Sequence, residues 1–363
     1  MGAGGCFLSS FLHPAIKWCT LKAALLSHHT DKGVHAIMMR IIDFHCDTMG
    51  ERVARSEGKV SLRHNDGHIS LEKMQKGEAL AQFFAIWIPL HDTAERLGVT
   101  MGPYEYFNFV HEKYEEEMAK NTDIIAKAYC LADLEKNRAN GLMTSFLSIE
   151  DSVPLEGKIE RVDEFYQKGV RLMSLTWNYE NSVAYPTSED PEIMRKGLKP
   201  FGFETIERMN ELGMIIDVSH LNDAGIFDVL KHSKKPIVAS HSNARAVCNH
   251  RRNLTDEMLK LLGENGGLTG LNYCAPFMSE EAAANNLTTC EDIVRQALYI
   301  KNKAGIDALG FGSDFDGIGN DLDFKDYSGM PMVVAALEKH FTDDEIEKIC
   351  WKNAYRVIGE SMK

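Results

Sequence analysis

Short apolar runs alternate with longer amphipathic stretches along most of the chain. The runs are rich in β-branched and aromatic residues, and most are apolar on both faces, which is typical of parallel strands covered on both sides. Eight runs are predicted strands: residues 40–45, 80–88, 142–149, 170–176, 214–218, 236–240, 267–272 and 308–312.

Helical patterns separate most of these strands. They cover residues 104–120, 203–212, 223–232, 255–264 and 290–304, and two further helices, 331–339 and 343–358, end the chain. Eight strands, each followed by helical sequence, predict an α/β fold of the (β/α)8 TIM barrel type. A doubly wound open sheet is the alternative, but the segment after the first strand lacks the glycine-rich phosphate-loop patterns that would favour it.

The first 38 residues differ from the rest of the chain. Proline and lysine interrupt their apolar patches, and no basic residue precedes the first patch, so they fit neither a secretory signal nor a membrane span. We expect a poorly ordered N-terminal extension over residues 1–38 and one barrel domain over residues 39–363. The alternatives are an amphipathic helix that packs on the barrel, and a natural start at Met38 or Met39.

Composition narrows the classes of partner and compartment. The chain has 363 residues, 44% of them hydrophobic and 26% charged, which is ordinary for a soluble globular protein, and its net charge is −13. An acidic balance argues against nucleic acid or an anionic membrane as the main partner. The eight cysteines are scattered without a CxxC pair, which indicates mostly buried thiols in a reducing compartment. We therefore expect a cytoplasmic location.

Histidine and carboxylate side chains recur at the carboxyl ends of the predicted strands, where barrels carry their active sites. They are His45 and Asp47 after the first strand, Glu150 after the third, His220 after the fifth, His241 after the sixth and Asp314 after the eighth. His45 and Asp47 lie two residues apart, so both side chains can face the barrel mouth. Each residue alone would be an ordinary polar group, and only their shared position indicates a site.

Three histidines with several carboxylates form a nitrogen and oxygen ligand set. This set suits zinc, and less well manganese, iron or cobalt. Two ions need a bridging ligand, and a carboxylate such as Glu150 can supply one. Neighbouring carboxylates have simpler interpretations: Asp151 and Asp316 can cap the following helices, and Asp217 can orient a histidine ligand.

Six segments carry a resemblance to one known family. They are DFHCDT, SFLSIEDS, IIDVSHLND, IVASHSNARAVCNHRRN, GFGSDFDG and NAYRVIGE, and they occur in that family's order and at similar spacing. On these segments the chain resembles the membrane (renal) dipeptidase family, a branch of the amidohydrolase-like metal enzymes, over about residues 40–360. The combination of SHSNA, RRN and GSDFDG makes the resemblance specific.

The resemblance implies a binuclear zinc dipeptidase that cleaves free dipeptides, L,D-dipeptides included. Two Zn²⁺ per chain are implied, with manganese or iron as alternatives, and a bridging hydroxide would attack the scissile carbonyl. The implied roles are His45 and Asp47 on the first ion, Glu150 bridging both, His220 and His241 on the second, and Asp314 as acid/base. Arg252 would hold the C-terminal carboxylate of the substrate, which its planar guanidinium suits. The relatives favour a homodimer.

Two positions depart from the family pattern. In LTWN, Trp177 stands where mammalian-type members have a substrate-contacting histidine, so Asn178, a metal ion or water would serve instead. In LNYCAPF, Tyr273 or Cys274 corresponds to the family's tyrosine. We predict that Trp177, Asn178 and Tyr273 contact the substrate. The ending RVIGESMK carries no lipid-anchor signal, so membrane attachment is not expected.

Two other functions are compatible with the same residues. A cyclic amidase, deaminase or phosphotriesterase-like hydrolase would use the same barrel on another amide or ester. Such relatives often bridge their metals with a lysine that the segment LMSLTWN lacks. A barrel without catalysis would be a binding or scaffold protein, and loss of one ligand or of Asp314 would favour it. All six positions are filled, which favours an enzyme.

Overall fold

The computed structural model describes Met1 and residues 40–56 and 58–363. The predictions for the N-terminal extension and for the domain boundary at residues 38 and 39 lie outside the described residues. Eleven strands cross the described part of the chain: β1 Ile41–Asp43, β2 Ala79–Trp87, β3 Ile125–Lys127, β4 Met143–Glu150, β5 Val170–Ser174, β6 Ile215–Asp217, β7 Val238–Ala239, β8 Leu268–Leu271, β9 Leu287–Thr288, β10 Leu309–Phe311 and β11 Asp321–Leu322.

Eight of these strands close a parallel barrel. They follow chain order around the ring as β1, β2, β4, β5, β6, β7, β8 and β10, and β10 pairs with β1 to complete it. The predicted (β/α)8 TIM barrel is therefore confirmed. The strand β3 pairs with the start of β4, and β9 pairs with β11 in a separate sheet. The sequence analysis did not predict these three strands.

Helices lie between most neighbouring barrel strands. The α-helices are α1 Leu71–Lys76, α2 His91–Leu97, α3 Pro103–Lys120, α4 Leu131–Ala139, α5 Glu160–Gln167, α6 Pro191–Met194, α7 Pro200–Leu212, α8 Asp223–His232, α9 Asp256–Glu264, α10 Ala275–Met278, α11 Glu280–Asn285, α12 Cys290–Ala304, α13 Met330–Leu337, α14 Asp343–Glu347 and α15 Asn353–Ser361. Shorter 3-10 or π segments are Met49–Val53, Ala54–Ser56, Val153–Leu155, Ile306–Ala308, Tyr327–Gly329 and Lys348–Lys352.

Most predicted helices agree with the structure, and one does not. The helix α9 begins where the Thr255 hydroxyl accepts a hydrogen bond from the Met258 backbone N–H, as the sequence indicated. The predicted helix 343–358 is instead two α-helices joined by the π segment Lys348–Lys352. Among the described helices, none is long and apolar enough to cross a membrane.

A layer of aromatic rings lies inside the barrel, below the carboxyl ends of the strands. The rings of Phe44 and Phe83 stack at 4.7 Å, and those of Phe83 and Phe146 stack at 4.8 Å. Phe146 and Glu150 lie four residues apart in β4, so their side chains face the same side of the strand. The carboxylate of Glu150 therefore lies above an apolar layer, to which Val357 of the last helix also belongs.

Candidate metal centre and active site

The five predicted metal ligands lie together at the carboxyl rim of the barrel, where three histidines surround the carboxylate of Glu150. Glu150 Oε2 lies 3.5 Å from His45 Nε2, and Glu150 Oε1 lies 2.9 Å from His220 Nε2 and 3.5 Å from His241 Nε2. Asp47 Oδ2 lies 3.4 Å from His45 Nε2. Each oxygen of Glu150 thus faces a different group of ligands, which is the arrangement that a bridging carboxylate requires.

The backbone turns sharply where two site residues leave their strands. His220 has a φ of +69° and Asp314 a φ of +62°, in the left-handed region that non-glycine residues rarely adopt. Such conformations cost about 1–3 kcal/mol each and persist where the surroundings fix them. The Asp314 N–H donates to the His45 carbonyl at 3.3 Å, and the Thr187 N–H donates to the His220 carbonyl at 2.8 Å. These bonds hold the turns that direct both side chains into the barrel mouth.

The donor atoms fit divalent cations. Two groups of three residues have donor atoms that all lie within 4.8 Å of one another. The first group is His45, Glu150 and His241, and the second is His45, Asp47 and Asp314. The buried atoms His45 Nε2 and Asp47 Oδ1 have no hydrogen-bond partner in the described part of the chain. Buried polar atoms without a partner are costly, and a bound cation would satisfy both. Imidazole and carboxylate donors suit zinc, manganese or iron.

Electrostatics make His220, His241 and Glu150 good ligands. Burial, and then the charge of Arg252, lowers the pKa of His220 to about 4; burial, and then His45, lowers the pKa of His241 well below its usual range. Burial opposes the charge of Glu150, but the three histidines outweigh it and hold the pKa of this carboxyl well below its usual range. An anionic oxygen beside two neutral imidazoles is a favourable environment for a cation.

Asp314 has the surroundings of an acid/base group. Its pKa is raised to about 6, chiefly by burial; His45 and Arg252 lower it, and the Glu150 carboxylate raises it. Its Oδ2 accepts a hydrogen bond from Asn272 Nδ2 at 3.0 Å, while its Oδ1 lies 3.9 Å from His45 Nε2. A carboxyl group whose pKa lies near the working pH can both take and give a proton.

A pocket of about 370 Å³ opens directly over these residues, which is within the range of small-molecule sites. Its walls include Trp87, Trp177, Asn178, Arg252, Cys274 and Phe277. Asp47, Glu150, His220 and Asp314 also face this pocket. Three of the five predicted ligands, the predicted acid/base and the predicted substrate-binding arginine therefore line one cavity.

Arg252 is an unpaired cation in the pocket wall. It is 7% exposed, and its Nε and Nη2 atoms have no hydrogen-bond partner among the described residues. The guanidinium lies 5.6 Å from the centre of the Phe277 ring, and the Arg252 backbone N–H donates to His250 Nδ1 at 3.1 Å. The loop is thus fixed, while the guanidinium keeps its donors for an anionic ligand.

Of the three predicted substrate contacts, two lie in the pocket and one does not. Trp177 stacks edge-on against Trp87 at 5.0 Å, and Asn178 Oδ1 lies 3.2 Å from His220 Nδ1. Tyr273 is fully buried in the core, and its hydroxyl donates to Met330 Sδ at 3.5 Å. The prediction for Tyr273 is therefore corrected. The next residue, Cys274, lines the pocket, because successive residues leaving a strand point to opposite sides.

Sequence reasoning missed the serines that surround the ligands. Ser240 Oγ contacts His241 Nδ1 at 2.7 Å, and Ser313 Oγ donates to Asp43 Oδ2 at 2.5 Å. The one available signal was the repeated triplet Ile-Ile-Asp, which ends β1 with Asp43 and β6 with Asp217. Serine is too common at strand ends to identify such partners without coordinates.

Comparison with known proteins places this geometry among peptidases. The model of the family described as membrane dipeptidase (Peptidase family M19) matches residues 32–363. A protein of Klebsiella pneumoniae, named only as an uncharacterized protein in the pqqA 5′ region, is 33% identical over 62% of this chain and 85% of its own length. The dipeptidase tcpJ of Claviceps purpurea is 29% identical over 81% of this chain and 69% of its own length.

Solved structures share the barrel. A metallo peptidase from Rhodobacter sphaeroides, liganded with a phosphinate mimic of the dipeptide L-Ala-D-Ala, superposes with a TM-score of 0.80 at 23% identity, over 89% of this chain and 99% of that one. A structure of a metallo peptidase called dipeptidase AC gives a TM-score of 0.77 at 25% identity, over 90% and 99% of the two chains. The agreement along nearly the whole length of both proteins supports a single barrel fold.

Proposed function

Because the chain belongs to the membrane dipeptidase family and is a metal-dependent dipeptidase, we propose that two zinc ions per chain serve its reaction. His45 and Asp47 would hold the first ion, His220 and His241 would hold the second, and the Glu150 carboxylate would serve both. The support is that Glu150 Oε2 faces His45 at 3.5 Å while Oε1 faces His220 at 2.9 Å. Manganese or iron would accept the same donors.

Asp314 is the proton carrier of the proposed reaction. Metal ions at these ligands would supply Lewis acidity and a water molecule of lowered pKa. Asp314 would take a proton from the water whose oxygen adds to the scissile carbonyl carbon, and would give that proton to the leaving amine as the C–N bond breaks, so that the products are two free amino acids. The hydrogen bond from Asn272 to Asp314 Oδ2 fixes the carboxyl group for both transfers.

The observation that carries the substrate proposal is the unpaired, buried guanidinium of Arg252. A buried cation is costly unless an anion compensates it. A free C-terminal carboxylate matches the two unpartnered atoms, Nε and Nη2, in the fork geometry that arginine offers. Because Arg252 shares a pocket of about 370 Å³ with Glu150 and Asp314, short peptides with a free C-terminus fit best.

Trp177 and Asn178 are the remaining proposed substrate contacts. Asn178 Oδ1 lies within hydrogen-bond distance of His220 Nδ1, whereas the side-chain N–H groups of Asn178 make no hydrogen bond within the described part of the chain. They are therefore available to a substrate carbonyl or to the developing oxyanion. The mimic of L-Ala-D-Ala bound by the Rhodobacter protein supports including L,D-dipeptides among the substrates.

The test is release of free amino acids from a panel of L,L- and L,D-dipeptides. Metal-stripped protein is assayed with and without zinc, and C-terminally amidated dipeptides and tripeptides are the controls. We expect zinc-dependent cleavage of free dipeptides only. Arg252→Met should lower kcat/KM roughly 10- to 150-fold, which corresponds to a loss of about 1.5–3 kcal/mol of transition-state stabilisation. Arg252→Lys should have an intermediate effect. Equal cleavage of free and amidated dipeptides would contradict the role of Arg252. If metal-loaded protein cleaves no dipeptide, the proposed substrate class is wrong.

Two further proposals concern assembly and compartment. We propose a homodimer in the cytoplasm, without nucleic acid or membrane as partners. The support is the resemblance to dimeric relatives, the net charge of −13 and the six cysteines of the described residues, all of them free. Light scattering on the purified chain gives the oligomeric state directly.

A further inference from the structure

Asp217 is a buried carboxylate at the end of β6 that touches none of the proposed ligands. Its Oδ1 accepts hydrogen bonds from the backbone N–H groups of Ser219 and Ser240, both at 2.9 Å. Its Oδ2 accepts from Ser174 Oγ at 2.5 Å and from Ser240 Oγ at 2.6 Å. The two oxygens of Asp217 thus accept four hydrogen bonds, two from backbone N–H groups and two from serine hydroxyls.

The hydrogen bond to Asp217 determines whether Ser240 donates to or accepts from His241. A hydroxyl has one proton, and Ser240 gives that proton to Asp217, so its lone pairs are left for a donor. His241 Nδ1 lies 2.7 Å from Ser240 Oγ. The ring must therefore carry its proton on Nδ1 and donate it to the serine, because two acceptors would repel each other.

The consequence lies at the opposite ring nitrogen. With the proton on Nδ1, His241 Nε2 presents a lone pair, and this atom lies 3.5 Å from Glu150 Oε1 and 3.0 Å from His220 Nε2. The backbone N–H of His241 is also fixed, since it donates to Ser219 Oγ at 3.0 Å. Both the rotation and the tautomer of the ring are therefore set by groups outside the ligand set.

We propose that Asp217 is a positioning residue for His241, and that it acts through the hydroxyl of Ser240. The chain Asp217–Ser240–His241, called the serine relay below, keeps the lone pair of His241 Nε2 directed at the metal centre. The inference rests on the proposed metal centre, but not on the identity of the substrate. Partners of this kind typically contribute 10- to 100-fold to metal affinity.

The structure supplies a matched control at the other side of the barrel. Ser313 Oγ donates to Asp43 Oδ2 at 2.5 Å, in the same carboxylate–serine arrangement. The Ser313 hydroxyl has the His45 carbonyl at 3.2 Å and the Phe315 N–H at 3.2 Å as its other partners, and no imidazole ring. Ser313→Ala thus removes a buried serine of the same type without touching a ligand ring.

The experiment compares the full-length native chain with Ser240→Ala, Ser240→Cys and Ser313→Ala. Zinc dissociation constants are measured by chelator competition, and ¹⁵N shifts of histidine ring nitrogens are recorded with and without zinc. These shifts separate an N–H nitrogen from a lone-pair nitrogen. We expect Ser240→Ala to weaken one bound zinc by about 10- to 100-fold and to populate the other His241 tautomer in zinc-free protein. Ser240→Cys keeps the size with a weaker hydrogen bond, and its effect should be intermediate.

Three results would overturn the serine relay. Unchanged zinc affinity and unchanged His241 shifts in Ser240→Ala are the first. The second is an equal loss in Ser313→Ala, which would indicate general loosening of the barrel rim. The third is a zinc-free native chain in which His241 carries its proton on Nε2. If the native chain binds no zinc at all, the proposed metal centre fails, while the tautomer of His241 still tests the relay.

Discussion

Two buried aspartates end the same triplet, Ile-Ile-Asp, on opposite sides of the barrel, and they serve different neighbours. Asp43 ends β1 and accepts hydrogen bonds from the His45 and Ser313 backbone N–H groups and from the Ser313 hydroxyl. Asp217 ends β6 and binds the same types of donor, but its serine contacts an imidazole. Asp43 therefore orients backbone groups, whereas Asp217 also orients the His241 ring through Ser240.

The difference extends to the ligands on each side. The β1/β10 side holds the proposed ligands His45 and Asp47, which contribute one carboxylate and one imidazole whose Nδ1 has no partner in the described part of the chain. The β6/β7 side holds His220 and His241, whose Nδ1 atoms contact Asn178 and Ser240. We infer that charge secures a cation on the first side, and that oriented neutral rings secure it on the second.

The largest expected effect is loss of activity, and one variant from each side distinguishes loss of the proton carrier from loss of a metal ligand. Asp314→Asn should lower kcat by about 10²- to 10⁴-fold with normal metal content, because it removes the proton carrier only. His220→Ala should abolish hydrolysis and also lose metal, because it removes a ligand. Metal analysis and dipeptide assays on both variants test this. An Asp314→Asn enzyme with normal turnover would remove Asp314 from the mechanism.

The next effect concerns glycines that pack against each side. A Cβ at Gly317 would lie 2.1 Å from Asp47 Oδ2 and 2.5 Å from Asp314 Oδ1, whereas a Cβ at Gly312 would lie 1.7 Å from the Ser240 carbonyl oxygen. Gly317→Ala should displace site carboxylates and lower activity by about 10²-fold with little loss of stability. Gly312→Ala presses on rigid backbone and should cost about 1–3 kcal/mol of unfolding free energy. Urea unfolding and activity assays of both variants check this. Normal activity of Gly317→Ala would show that a Cβ at residue 317 does not displace the site carboxylates.

The smallest expected effect is a pH dependence shared by the two sides. A neutral imidazole holds each rim loop: His250 Nδ1 accepts from the Arg252 N–H at 3.1 Å, and His68 Nδ1 accepts from the Asp316 N–H at 3.0 Å. Burial, and then nearby arginines, lowers the pKa of His250 to about 4, and burial also lowers the pKa of His68.

Between pH 6.5 and about pH 4, the unfolded chain therefore binds a proton at His250 that the native chain does not. The free energy of unfolding should fall as the pH falls through this window. Urea unfolding at several pH values, for the native chain and for His250→Gln, isolates this part from the ligands that titrate nearby. Identical pH slopes for the two proteins would show that His250 does not contribute.

Much of the site was predictable because a parallel barrel converts chain order into position. Strands of one direction bring all their carboxyl ends to one rim, so His45, Glu150, His241 and Asp314 could be placed together from the sequence. Tyr273 could not be separated from Cys274, because a shift of one residue at the end of β8 exchanges the pocket for the core.

The sequence by itself determined the barrel, the rim that carries the site and the residue types that meet there, because the periods of strands and helices are local properties. Tertiary structure alone decided which atoms meet. The left-handed turns at His220 and Asp314 and the contact between Ser240 and His241 depend on packing between strands. Hydrogen bonds act over about 3 Å, and no pattern along the chain specifies distances that small between neighbouring strands.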